Sequence, residues 1–299
     1  MIDVPEAFAR STVAREGQRG REWIDGLPRT VDDLLERWNC APAGPVWHGA
    51  VGVVLPVTGT DLPPAVLKVS FPHPGNVHEP DAFAAWAGRG AVTLYRRDDA
   101  RFAMLLERAE PGTLADVADT EQAVTTAARL ARRLAVPAPA GLPRLRDQAP
   151  GWEAALRADA AHLADPLSGR VMGAAIATFR ELAPDQPDTL IHGDLHDTNI
   201  LPSGREPWLA IDAKGYVGDS AYDGVTLLRT RPEEYRAAAD PVSALLRRLA
   251  VFAEAAEVDI ERAGRWAQAR ATEAALWGRR YGDPPEIVQL SDLIAETFA

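Results

Sequence analysis

The chain has 299 residues, enough for one large domain or two small ones around a sizeable core. Hydrophobic residues make up 46% and charged ones 25%, as in ordinary soluble proteins, while 43 acidic against 32 basic side chains give a net charge of −11. That balance argues against nucleic acid as the main partner, because neutralising phosphates takes clustered Lys and Arg. It is compatible with a small cationic ligand.

Cys40 is the only cysteine, so neither an intrachain disulfide nor a Cys-x-x-Cys metal motif is possible. The opening MIDVPEAFAR lacks the basic and apolar regions of a signal peptide, and no apolar run approaches the roughly 18 residues of a membrane span. These features predict a cytoplasmic protein without a membrane partner. A monomer is favoured.

In chain order, the first 39 residues carry apolar positions at helical spacing, in two segments that Pro28 is expected to separate. VGVVLPV (51–57) and AVLKVSF (65–71) read as strands around a Gly-, Asp- and Pro-containing hairpin connection. EPDAFAAWAG (79–88) reads as a short helix, and AVTLYRRDDARFAMLLER as two further strands joined at RRDDA. Glu110-Pro111-Gly112 then breaks the pattern. Beyond it come an amphipathic helix (120–135), a Pro-rich connector, two helices between Gly151 and Leu182, a polar motif, and three helices to the end. Strands first and helices after predict an α+β fold of two lobes: a β-rich N-terminal lobe over 1–108 and a helical C-terminal lobe over 109–299.

The polar motif is IHGDLHDTNIL (191–201), followed by LAID (209–212). A β-like run feeds a polar loop and NIL returns to a strand, so a hairpin with WLAID would bring Asn199 close to Asp212, with Asp194 beside them. Turn capping alone needs fewer polar groups than the five that fall between His192 and Asn199. A metal-dependent hydrolase using His192, Asp194, His196, Asp197 and Asp212 is one alternative. It calls for further ligands, yet no histidine follows His196. Phosphoryl transfer is the other. The kinase catalytic loop places an Asp two residues after a His and an Asn five residues after that Asp, with a later Asp at a strand end for Mg²⁺. His192, Asp194, Asn199 and Asp212 reproduce that spacing.

HGDLHDTN followed by IDAKGYVGDSAYD resembles the aminoglycoside phosphotransferases, a family with a two-lobed protein-kinase-like fold. REPWLAID, VGDSAYD, VPEAFA, GREWIDGLP and LLERAEPGTL resemble its streptomycin 6-kinase and hydroxyurea phosphotransferase branch, over nearly the whole chain. The resemblance implies an ATP- and Mg²⁺-dependent kinase of a small cationic acceptor, an antibiotic-resistance enzyme of the streptomycin-phosphorylating kind. Hydroxyurea or an amino sugar is the alternative acceptor. Asp194 is then the catalytic base, Asn199 and Asp212 the metal ligands, and His192 a brace for the loop. The backbone around Glu107 and Ala109 would meet the adenine edge, with Met104 lining the pocket behind.

The upstream half supports the same reading from its residues. Lys68 stands alone in an apolar strand, as a phosphate-binding kinase lysine does, and Glu79 opens the next helix as its natural partner. There are departures. No GxGxxG precedes Lys68, and Gly49 and Gly52 alone supply the loop. Ala213-Lys214-Gly215 follows the metal aspartate in place of Phe-Gly, and Lys214 is expected to be a solvated loop residue. Asp219 and Asp223 stand where the family resembled keeps aspartates that tie the loop to a following helix, and packing and turn capping account for them. Carboxylates at Asp259, Glu261, Glu273, Asp283 and Glu286 would steer a cationic acceptor, and Trp266 and Trp277 either stack on it or, as their helical spacing suggests, join the core.

Overall fold

The computed structural model describes residues 2–164 and 166–299. The chain divides into two units, Met1–Glu110 and Pro111–Ala299. The first unit opens with α1 (Glu6–Glu16) and α2 (Gln18–Trp38). The break between them is at Gly17, whose φ of 63° and ψ of −133° suit only glycine, and not at Pro28, which lies inside α2. Proline forfeits one helical hydrogen bond. Here that loss is outweighed by tertiary packing, since Leu27, Val31, Leu34, Leu35 and Trp38 form one buried face of α2 around Phe8.

That face covers an antiparallel sheet. Its strands are β1 (Ala41–Pro42), β2 (Trp47–His48), β3 (Gly52–Thr58), β4 (Ala65–Ser70), β5 (Leu94–Asp98) and β6 (Ala103–Glu107), with α3 (Glu79–Trp86) between β4 and β5. The order is β1-β3-β4-β6-β5, and β2 also pairs with β3. Strand side chains alternate between faces. Val53, Leu55, Val57, Leu67, Val69 and Leu105 therefore enter the core with α1 and α2, while Lys68 emerges on the other face, in register with Val54 and Met104.

The second unit runs α4 (Thr120–Leu134), β7 (Val136–Pro137), α5 (Leu145–His162), α6 (Gly169–Glu181), β8 (Thr189–Ile191), β9 (Ile200–Pro202), β10 (Trp208–Ala210) and β11 (Tyr216–Val217). It ends with α7 (Gly224–Leu228), α8 (Pro232–Ala237), α9 (Pro241–Ala256), α10 (Ile260–Tyr281) and α11 (Pro285–Thr297). Five helices thus follow the motif where three are expected. The two extra ones are single short turns of 5 and 6 residues, too brief to show a 3.6-residue period. The end of the Pro-rich connector already belongs to α5, which buries Leu145, Ala149 and Leu156 despite Pro150. β9 and β10 form the expected hairpin, and β11-β8-β7 make a second small sheet. α10 is the central pillar: Trp266 is fully buried and meets Trp152 and Tyr222 edge-on.

Gly224 shows how closely the helices approach. A Cβ there would lie 2.5 Å from the ring of Phe252, itself fully buried. Gly224→Ala is expected to destabilise the protein by about 1–3 kcal/mol through overpacking. The measurement is a lower denaturant midpoint with an unchanged m-value.

Candidate active site

In the first unit, Lys68 Nζ lies 2.6 Å from Glu79 Oε1. Glu79 is 1% exposed, so this ion pair is held inside protein, where a lone carboxylate would be costly. Pairing pins the lysine on its strand while Met104, directly across the ladder, packs against the same face. Glu107 is committed: its N–H donates to Thr93 O, and its carboxylate accepts from the Thr93 N–H and hydroxyl. The Ala109 N–H makes no hydrogen bond among the described residues. Gly49 N–H donates to Gly52 O and closes a tight turn between β2 and β3 in place of a longer glycine-rich loop.

In the second unit the loop after β8 is built around His192, which is completely buried. Its Nε2 donates to Ile211 O at 2.9 Å, and its Nδ1 accepts the Asp194 N–H at 3.2 Å. These bonds fix the neutral Nε2–H tautomer, and burial pushes the imidazole pKa down to about 4. The backbone N–H groups of His192 and Gly193 both donate to Asp223, at 3.0 and 2.7 Å. Burial raises the Asp223 pKa to about 7 against the lowering effect of those two donors. Gly193 must be glycine: φ is +82°, and a Cβ would fall 2.6 Å from the Tyr216 ring.

Asn199 donates from Nδ2 to Asp194 O and to His196 Nε2, both at 3.0 Å, which turns its carbonyl oxygen the other way. Ile211 N–H donates to Asn199 O at 2.9 Å, so the hairpin brings Asp212 beside Asn199. Asp212 itself has φ of 61°, a left-handed backbone that costs a non-glycine residue about 1–3 kcal/mol. Lys214 corrects its expected role. It is not a solvated lysine: Nζ stands 3.3 Å from Asp194 Oδ2 and 3.7 Å from Asp212 Oδ2. The sequence signal that could have located it is its place two residues beyond the Asp, on a chain that turns back to His192.

Two oxygen donors of this kind, an amide carbonyl and a carboxylate, fit Mg²⁺, which takes its remaining ligands from phosphate and water. The histidine-rich hydrolase arrangement is absent. Both nitrogens of His192 are engaged, and His196 is held by Thr198 and Asn199. Among the described residues no group of three or more His, Cys, Asp or Glu side chains is placed to hold a metal.

Asp197 departs from a ligand role, accepting from Arg231 Nε at 3.2 Å. Asp219 accepts from Arg262, from Trp266 Nε1 and from the Ala221 N–H, so it ties the loop to α10 as well as capping a turn. Of the expected acceptor-side residues, Asp259 caps α10 and Glu273 pairs with Arg270. Trp266 is core, whereas Trp277 is 48% exposed and packs against Tyr281.

Known proteins share this architecture. Choline kinase from Streptococcus pneumoniae superposes with a TM-score of 0.58 at 13% identity, over 91% of this chain and 98% of its own. The GDP complex of a point mutant of aminoglycoside 2′-phosphotransferase-IIIa gives a TM-score of 0.55 at 16% identity, over 90% and 96%. The fold is therefore the α+β, protein-kinase-like one. In sequence, streptomycin 6-kinase from Streptomyces glaucescens is 36% identical over 93% of this chain and 91% of its own. Hydroxyurea phosphotransferase from Kitasatospora aureofaciens is also 36% identical, over 93% and 80%. The family model described as aminoglycoside/hydroxyurea antibiotic resistance kinase matches residues 37–282. The chain belongs to that family, and is a phosphotransferase acting on a hydroxyl group.

The buried pair His192 and Asp223 generates a pH prediction. The folded loop refuses a proton at His192 until about pH 4, whereas the unfolded chain accepts one near 6.5. Its contribution, about 3 kcal/mol, is full above pH 6.5 and lost as pH falls towards 4. Asp223, with a folded pKa near 7 against an ordinary 3.8, acts oppositely and stabilises as pH falls. Asp223→Asn removes that counterweight. Denaturant unfolding across pH 7 to 4 should show the variant losing stability more steeply than the wild type.

Proposed function

We propose that the protein transfers the γ-phosphoryl group of ATP to a hydroxyl of a small cationic acceptor, streptomycin foremost, and thereby inactivates an antibiotic. The observation that carries this reading is the cluster in which Lys214 joins Asp194 to Asp212 beside Asn199. The equal identity to a hydroxyurea phosphotransferase supports hydroxyurea as the second acceptor to test. No helix of the described residues is long and apolar enough to cross a membrane, and use of ATP supports a cytoplasmic site for the reaction.

Asp194 is the base. Its carboxylate receives the acceptor proton as the acceptor oxygen bonds to the γ-phosphorus. The bond from that phosphorus to the β,γ-bridging oxygen breaks, the electron pair leaves with ADP, and the proton passes from Asp194 to solvent. Asn199 Oδ1 and Asp212 would hold Mg²⁺, which neutralises phosphate charge when bound. Lys68, positioned by Glu79, orients the nucleotide phosphates. Ala109 donates to the adenine edge with its available N–H, Glu107 frames that segment through Thr93, and Met104 lines the pocket behind. Lys214 adds positive charge where the phosphoryl group passes, in a site whose charges are fixed before reaction.

Asp194→Ala should lower turnover about 10²–10⁴-fold while calorimetry finds ATP affinity nearly unchanged. Loss of ATP binding in step with turnover would make Asp194 a ligand or a structural residue. Activity should depend on Mg²⁺ or Mn²⁺ and ignore a zinc-selective chelator. Tightly bound zinc together with ester hydrolysis and no ADP would overturn the kinase reading.

A further inference from the structure

Beside Asp194 the second unit contains an open groove of about 490 Å³, lined among others by His196, Thr226, Arg229, Ile287 and Leu290. Arg229, at the C-terminal end of α7, is the anomaly in it. Its side chain is half-buried, and among the described residues its guanidinium makes no ion pair and no hydrogen bond. Arg231, Arg248 and Arg270, by contrast, have partners. Arg231 donates to Asp197, Thr120, Glu234 and the carbonyls of Leu114 and Ala115. Arg248 donates to Glu234 and Thr230 O, and Arg270 pairs with Glu273 over the face of Trp152.

A guanidinium carries five N–H donors. Donors partly shielded from water and met by no protein group carry a cost that is recovered when an oxyanion arrives. Burial, then the like charge of Arg270, lower the Arg229 pKa from its ordinary value, with Asp194, Asp283 and Glu273 acting in the opposite sense. An arginine so placed still stays charged. Lys214 thus pairs with Asp194 and also reaches Asp212, while Arg229 lines the same groove as Asp194.

We propose that Arg229 is a phosphoryl-binding residue on the acceptor side, taking the phosphate oxygens as the group arrives on the acceptor hydroxyl and holding the phosphorylated product beside Asp194. The proposal rests on the phosphoryl-transfer reading and deepens it. It divides the labour between two cations, Lys214 toward the metal-binding Asp212 and Arg229 toward the product. It also explains how an acidic protein tolerates a cation in a groove that would receive a cationic acceptor: the charge belongs to the transferred group, and the acceptor's own cations must point elsewhere.

Inorganic phosphate is a probe that needs no acceptor. Titrated calorimetrically into the full chain saturated with a non-hydrolysable ATP analogue, phosphate should bind saturably. Arg229→Gln should weaken it about tenfold or more, the scale of a lost bidentate charge-assisted contact. Arg229→Lys should fall between the two, and Asp194→Asn should tighten binding by removing a like charge. Thermal melting checks that each variant is folded, and the lysine variant carries the test if the glutamine variant is not. Equal affinity in wild type and Arg229→Gln, or no saturable phosphate binding with the analogue present, overturns the proposal. If no acceptor yields ADP while phosphate binding still depends on Arg229, the kinase reading fails and the anion site stands. ADP formation with Arg229-independent phosphate binding sinks the proposal alone.

Discussion

Two backbone N–H groups, those of His192 and Gly193, converge on the buried carboxylate of Asp223, and the arrangement of the loop after β8 depends on that convergence. The loop leaves β8 with Gly193 at a positive φ, and without a side-chain acceptor the amides of residues 192 and 193 would be unpaired. Unpaired buried amides are rarely tolerated. Asp223 meets both, His192 meets the next one at Asp194, and the loop becomes rigid without regular secondary structure. His192 then carries the constraint onward through Ile211 O, and its own carbonyl accepts the N–H groups of Lys214 and Gly215. Asp212 is thus clamped on both flanks, which is how the chain sustains its left-handed backbone.

The same bonds separate a kinase-like loop from a metallohydrolase built of identical residue types. A histidine metal ligand needs one ring nitrogen free for the metal and uses the other for orientation. His192 spends both on backbone atoms, and its depressed pKa follows from burial as a structural brace. The oxygen donors, by contrast, are left facing a cation. Two carboxylates held this close need positive charge between them. Lys214 supplies it here.

How far the sequence foretold this depends on the range of each signal. The spacing of His192, Asp194, Asn199 and Asp212 is local, and the alternation around Lys68 is local too; both were legible, and so was the β9–β10 hairpin. What escaped was set by contacts distant in sequence. Asp223 reads as a turn cap because nothing near it shows that the amides of residues 192 and 193 point at it. Lys214 reads as a solvated loop lysine until the turn back onto His192 is known. Pro28 reads as a helix break, whereas the core around Phe8 overrides it and Gly17 breaks the chain instead. Arg229 carries no sequence signature at all, because its distinguishing property is the absence of a partner.

Arg231 shows why so much charge is buried in this unit. Its guanidinium bridges the carbonyls of Leu114 and Ala115, just past Gly112, to Asp197 on the loop after β8, while Glu234 receives Arg231, Thr120 and Arg248 together. Buried ion pairs of this kind repay little net stability, because desolvation cancels most of their attraction. Apolar side chains of the same volume would fill the space as well. They would not fix direction. A planar guanidinium with donors in a rigid fork holds three segments at set angles, and the segments it joins are the entry to the unit, the loop bearing Asp194 and Asn199, and the start of α8. Positional accuracy matters more to phosphoryl transfer than added stability, since small displacements of aligned groups cost large factors in rate. The network around Arg231 is therefore best understood as a mounting for the loop.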